Sequence, residues 1–257
     1  MSFPKQLEIE HKGIGEWSIL HGYRGSIAHG MYMPNTDPNS IDDKDTMAIC
    51  VPPLEYYYGL SQYGPRGTKE YKFNEWDIVV YEARKFISLL EKGNPNVLSL
   101  LWLNDKHYIK KTSAGQKLIN SRGIFVGKHV YHSFVGYAYS QLHRLTKGAY
   151  RGYMGEKRKA LVKQYGYDTK NATHLIRLLK MGMEFLVDGH LQVERQDAPY
   201  LLDIKRGKWS LDEVQKEADR LFRLTEEAFM KSKLPIKPDH VKVNRLCVGV
   251  IEEAMKQ

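Results

Sequence analysis

Apolar residues fall in short runs over the first hundred positions and then change to a helical period. Residues 17–23 (WSILHGY), 46–51 (TMAICV) and 76–81 (WDIVVY) are aromatic or β-branched runs bounded by turn residues, and each predicts a strand. Pro52-Pro53 stops the second of them. Residues 24–41 are rich in turn formers, and residues 54–74, charged and broken by Gly64-Pro65, predict a surface excursion. Residues 82–92 (EARKFISLLEK) place apolar side chains at helical spacing, and Gly93-Asn94-Pro95 ends that helix. A short apolar helix is expected over 96–103.

Beyond this point the period is helical throughout. Helices are expected near 128–147, 155–165, 169–188, 210–231 and 239–255, with Pro235 and Pro238 in the last gap. There is no internal repeat and no low-complexity tract. The pattern predicts an α+β chain: a sheet domain with helices over 1–115, then an α-helical domain over 116–257. The division is expected near 110–125, where Lys110-Lys111-Thr112-Ser113-Ala114-Gly115 makes a polar break.

Composition narrows the class. The chain has 257 residues, 42% apolar and 27% charged, which excludes a disordered tail, a collagen-like fibre and a disulfide scaffold. Two cysteines, Cys50 and Cys247, are too few for a disulfide framework or a zinc knuckle, and neither sits in a context that lowers a thiol pKa. No apolar run approaches the roughly 20 residues of a membrane helix, and the N-terminus lacks the apolar stretch of a signal peptide. A soluble cytoplasmic protein with no membrane partner is expected.

Charge is unevenly divided. Residues 1–115 hold 13 Lys and Arg against 14 Asp and Glu, whereas 116–257 hold 26 against 16, so the net +9 belongs to the second half. A basic half beside a neutral one points to a polyanion, with phosphates of a nucleotide or nucleic acid as the usual candidates.

Residues 22–51 (GYRGSIAHGMYMPNTDPNSIDDKDTMAICV) hold the densest chemistry. A Gly25-Ser26 turn after a strand lets backbone N–H groups and one hydroxyl close on phosphate oxygens. Asp43 and Asp45 share a strand face because side chains alternate, whereas Asp42 points away from them. Adjacent carboxylates repel unless a cation lies between them, and hard oxygen donors favour Mg²⁺ or Mn²⁺. Asp77, on the later strand, offers a third carboxylate, with Glu75 of the same parity and Glu82 just beyond as competitors. Each feature alone is an ordinary turn or solvated loop. Their order, a phosphate cradle then a carboxylate cluster, is the equipment of metal-assisted phosphoryl or nucleotidyl transfer.

Gly25-Ser26-x-x-x-Gly30 followed by Asp43-x-Asp45 resembles the signature of the DNA polymerase beta superfamily of nucleotidyltransferases. Within it, the chain is similar to the branch associated with RNA repair in bacteria and phages. The run from Asp77 through Arg84, Lys85 and Phe86 to Gly93-Asn94-Pro95-Asn96 resembles that branch's third-carboxylate strand, helix and Asn-Pro turn. Gly166-Tyr167-Asp168-x-Lys170-x-x-x-His174-x-x-Arg177 resembles its helical-domain motif. The resemblance spans roughly 17–210 and implies a polymerase-beta-like sheet domain that moves an NMP from an NTP to an acceptor hydroxyl. It implies that Asp43, Asp45 and Asp77 bind metal, with Asp77 acting as base or orienting the second ion. Gly25 and Ser26 would cradle the β- and γ-phosphates.

Residues 142–180 carry Arg144, Lys147, Arg151, Lys157, Arg158, Lys159, Lys163, Lys170, Arg177 and Lys180 against Glu156 and Asp168, with Tyr150, Tyr153, Tyr165 and Tyr167 interleaved. Cations on phosphates and rings on bases suit RNA. The opposing reading is a solvated basic helix face. Lys170, His174 and Arg177 fall on one helical stripe suited to a nucleotide's or acceptor's phosphates, capped by Asp168 or Thr169. His21, His29, His129, His132 and His143 read as structural or substrate-adjacent, and Tyr56-Tyr57-Tyr58 as a packed edge.

The leading expectation is therefore a Mg²⁺- or Mn²⁺-dependent nucleotidyltransferase that binds an NTP such as ATP and an RNA or tRNA end. A protein side chain or small molecule as acceptor, and a non-catalytic nucleic-acid-binding protein, are the rival readings.

Overall fold

The computed structural model describes residues 3–34, 36–37, 40, 42–146 and 155–256. The chain forms two compact units. The first contains Met1–Ala28, Asp43–Val126 and Lys237–Gln257; the second contains His29–Asp42 and Gly127–Ile236. Residues 116–126 and the last helix, His240–Met255, thus fall in the first unit.

The first unit is built on a five-stranded mixed sheet: β1 Ser18–Tyr23, β2 Lys44–Cys50, β3 Thr68–Phe73, β4 Trp76–Glu82 and β5 Tyr108–Lys111, in the order β3-β4-β2-β1-β5. β1 runs antiparallel to β2 and β5, β3 antiparallel to β4, and β2 parallel to β4. All six β1 residues are buried, as are the last five of β2, so their apolar runs read as central strands. Helices Ala83–Glu91, Ser113–Asn120 and His240–Met255 contribute the other layer, and the last packs on the first two. The core between the layers includes Leu20, Met47, Val79, Phe86, Leu90 and Leu118.

Three local features differ from the sequence expectations. The excursion over 54–74 contains strand β3 (TKEYKF), which alternates charged and half-buried residues at a sheet edge and lacks an apolar core strand's signature. The polar run at Lys110 is the end of β5 followed by a helix N-cap, where the Thr112 hydroxyl accepts from Gly115 N–H. A helix, Ala198–Lys205, was not expected; Pro199 occupies its first turn, where a missing N–H costs nothing.

In the second unit the Thr169–Asp188 helix is central. Helices Val130–Thr146, Ala198–Lys205 and Leu211–Lys231 all pack on it, and thirteen of its twenty residues are buried. Asp168 is its N-cap, accepting from Asn171 N–H at 3.0 Å. No helix of the described residues is long and apolar enough to cross a membrane.

Candidate functional site

β1 ends at Tyr23 and the chain turns at Arg24 and Gly25. Arg24 N–H donates to the Asp45 carbonyl at 2.9 Å, which continues the β1–β2 ladder into the turn. Gly25 has φ +61°, and a Cβ there would collide with the Asp45 carboxylate. Glycine is therefore required both by backbone conformation and by space. Ser26 is the second residue of the short Gly25–Ala28 helix. Its Oγ is buried with no hydrogen-bond partner.

The parallel register of β2 and β4 sets Asp45 opposite Asp77. Registered residues on adjacent strands, about 4.8 Å apart, project to the same face. The Arg24 guanidinium reaches both, with Nη2 3.4 Å from Asp77 Oδ1 and 3.8 Å from Asp45 Oδ1. Both carboxylates are about three-quarters buried. Asp43 lies just before β2 and is exposed.

The competing carboxylates are committed elsewhere. Glu75 pairs with Lys44. Glu82 caps the Ala83–Glu91 helix, accepting from Arg84 and Lys85 N–H at 2.9 and 3.3 Å. Asp42, in the second unit, is buried; it accepts from Met33 N–H at 3.0 Å and pairs with Lys205, which also donates to the Met31 carbonyl at 3.0 Å. Among the described residues, no three His, Cys, Asp or Glu side chains are grouped to hold a metal ion. The structure brings together Asp45, Asp77, Gly25 and Ser26, bridged by Arg24, with Asp43 exposed beside them. Arg24 was not anticipated; its position directly before Gly25-Ser26 was the available signal.

The donor set fits the groups that the sequence motif implies. Two carboxylates on one face are hard oxygen donors of the kind Mg²⁺ and Mn²⁺ take. An orphaned buried hydroxyl beside a side-chain-free backbone fits a phosphate oxygen.

The second unit holds its own cationic cluster. Arg177 is 8% exposed, its Nε is buried without a partner, and its Nη1 donates to Met181 Sδ at 3.2 Å. No carboxylate of the described residues pairs with it, and burial, with Arg195 nearby, lowers its pKa to about 10. Burial, then Arg177, Lys170, His29 and Lys205, hold the His174 imidazole well below its ordinary 6.5, so it is neutral at physiological pH. His29 Nδ1 lies 2.8 Å from the Val193 carbonyl. An uncompensated buried guanidinium is costly unless an anion joins it.

The basic run is partly committed to structure. Arg158 donates to Asp168 and Asn171 at 2.8 Å each, Lys180 pairs with Asp197 at 2.6 Å, and Lys159 with Glu156 at 2.7 Å. Tyr167 is 1% exposed and donates to the Trp209 carbonyl, so it is a core residue rather than a stacking platform. Lys147, Tyr150, Arg151 and Tyr153 lie outside the described residues. Burial pushes the Cys50 thiol up to about 12 and the Cys247 thiol up to about 11, which keeps both protonated.

Residues 7–248 match the model of the RlaP family, an RNA repair pathway DNA polymerase beta family. No curated protein matches the chain. Among solved structures, a nucleotidyltransferase-like protein from Exiguobacterium sibiricum is similar at 11% identity, over 88% of this chain and 73% of that one, with a TM-score of 0.33.

Proposed function

From its membership of the RNA repair pathway DNA polymerase beta family, in which the chain is a nucleotidyltransferase, we propose that it moves an NMP from an NTP onto the hydroxyl of an RNA or tRNA end, releasing pyrophosphate. The acceptor oxygen bonds to the α-phosphorus as the bond from that phosphorus to the pyrophosphate oxygen breaks. The hydroxyl proton passes to Asp77 or to water.

One observation carries this reading: Asp45 and Asp77 stand in register on one sheet face beside Gly25 and the unpartnered hydroxyl of Ser26. Asp43, Asp45 and Asp77 would hold Mg²⁺ or Mn²⁺, which when bound neutralises phosphate charge and lowers the pKa of the attacking hydroxyl. Gly25 lets backbone approach a phosphate, and Ser26 donates its hydroxyl to a phosphate oxygen. Arg24 offsets the repulsion between Asp45 and Asp77. In the second unit, Arg177 and Lys170 attract an anionic group of the nucleotide or acceptor, and neutral His174 donates or accepts one hydrogen bond. On this reading the first unit is catalytic and the second binds nucleotide or acceptor.

The test is transfer of label from each α-labelled NTP to RNA, to protein and to small-molecule acceptors, with wild type and Asp45→Asn. Label on RNA that needs Asp45 supports the reading. Label on protein or a small molecule reassigns the acceptor, and RNA binding without transfer leaves a non-catalytic binding protein.

A further inference from the structure

The C-terminal end of β4, opposite the end that carries Asp77, opens on a pocket of about 630 Å³ within the first unit. Asp77 and Glu82 are five residues apart on β4, about 17 Å at 3.3 Å per residue. The pocket is therefore separate from the carboxylate pair.

Its lining is cationic and aromatic. Arg66, Arg84 and Lys85 face it together with Tyr56, Tyr57 and Tyr63. The single carboxylate in the lining, Glu82, is buried and committed to capping the Ala83–Glu91 helix and to the Arg84 Nε at 3.3 Å. No carboxylate of the described residues pairs with Arg66 or Lys85. Arg66 is exposed and held at φ +55° in a tight loop between Gly64 and Gly67, and Gly67 lies so close to Lys85 that a Cβ there would stand 2.9 Å from the Lys85 Cβ. The loop thus sets two unpaired cations beside each other at some conformational cost. Beside them the Arg84 guanidinium lies over the Tyr57 ring, 4.5 Å from its centroid, and its Nη2 donates to the Tyr56 carbonyl at 3.2 Å. A guanidinium held over a ring, and itself exposed, offers a surface on which a nucleobase stacks.

We infer that this pocket binds a single-stranded segment of RNA, with phosphates on Arg66 and Lys85 and a base stacked on Arg84. The inference rests on the RNA-acceptor reading above and adds a second contact for the acceptor strand, about 17 Å along the sheet from its reacting end. The charge of the lining excludes a cationic partner. The pairing of a ring-held guanidinium with free cations favours a polymer that alternates planar bases with phosphates over a plain polyanion.

The experiment measures anisotropy of a fluorescent single-stranded RNA on the whole protein, at about 50 and about 200 mM salt. It compares wild type with Arg66→Glu/Lys85→Glu and with Arg66→Lys/Lys85→Arg, each checked by its melting temperature. The charge reversals are expected to weaken binding at least about tenfold and to lower the slope of log K against log salt by about 1.4 for two lost phosphate contacts. The conservative pair should retain wild-type affinity within about threefold, as expected when phosphate contacts alone are kept. Transfer of label to a mononucleoside acceptor is followed alongside. If that transfer is intact while reversal leaves RNA affinity and slope unchanged, the pocket assignment falls and the transferase reading stands. If transfer is absent in wild type while RNA binding still depends on Arg66 and Lys85, the transferase reading falls and the pocket stands. Equal competition by polyglutamate and by RNA overturns the nucleic-acid assignment, as does a wild type that binds no RNA.

Discussion

Arg24 lies between two carboxylates, 3.4 Å from Asp77 and 3.8 Å from Asp45, on the face where strands β2 and β4 set those aspartates opposite each other. The guanidinium lowers the repulsion of two like charges on one sheet face. Replacing it with Met exposes that repulsion. Arg24→Met is expected to lower stability without divalent ions by about 1 kcal/mol, a modest figure because the groups are partly solvated. Added Mg²⁺ should then raise the melting temperature of the variant more than that of wild type. Equal Mg²⁺ shifts in the two proteins would contradict this account of Arg24.

Gly25 and Ser26 should respond in opposite ways. Gly25→Ala places a Cβ against the Asp45 carboxylate at φ +61° and is expected to cost more than about 1 kcal/mol as well as activity. Ser26→Ala removes a buried hydroxyl that has no partner, so thermal stability should hold or rise by up to about 1 kcal/mol. Its KM for NTP should increase. Loss of stability in Ser26→Ala would mean the hydroxyl is structural.

Arg177 is a test of the same logic in the second unit. Arg177→Met removes a buried charge that lacks a carboxylate partner, so the unfolding free energy from denaturant titration should hold or rise, by an amount on the order of 1–3 kcal/mol. Protection of the protein by NTP or polyphosphate in the same titration should disappear. A variant that is less stable yet binds these anions normally would assign Arg177 to the core.

His21 sets a pH dependence. Its ring is buried in β1 with both nitrogens unpartnered, and burial, with Lys110 nearby, lowers its pKa from the ordinary 6.5 to about 3. Below 6.5 the unfolded chain binds a proton that the folded ring refuses. Stability is therefore complete above about pH 6.5 and falls as pH drops toward 3, by up to about 5 kcal/mol in total. Urea midpoints measured from pH 7 to 4 should decline, and His21→Leu should flatten the decline. His174, displaced in the same direction, leaves part of the slope in that variant.

The three apolar strands, the long helices and the Gly25-Ser26, Asp45 and Asp77 positions were legible because each is a local signal: a period, a cap or a short motif. The Asp168 cap on Thr169–Asp188 is of this kind. Relationships between distant residues were not legible. Lys205 meets Asp42 across 163 positions, and nothing in either neighbourhood announces the pair. The His240–Met255 helix belongs to the first unit because it packs on Ala83–Glu91 and Ser113–Asn120, which its own amphipathic pattern does not specify. β3 escaped notice because an edge strand needs few apolar residues. Tyr167 stands in a basic run, but its burial is set by packing that the run does not specify.

The central claim is that Asp45 and Asp77 act together in transfer from an NTP. Rates of label transfer from α-labelled NTP to RNA, with Mg²⁺ or Mn²⁺, should fall on the order of 10²–10³ in both Asp45→Asn and Asp77→Asn. The double variant should be little worse than either single one, because the pair acts as a unit. Glu75→Gln, at the carboxylate paired with Lys44, should stay within about threefold of wild type. Full transfer by Asp77→Asn, or loss in Glu75→Gln equal to that in Asp77→Asn, would contradict the account.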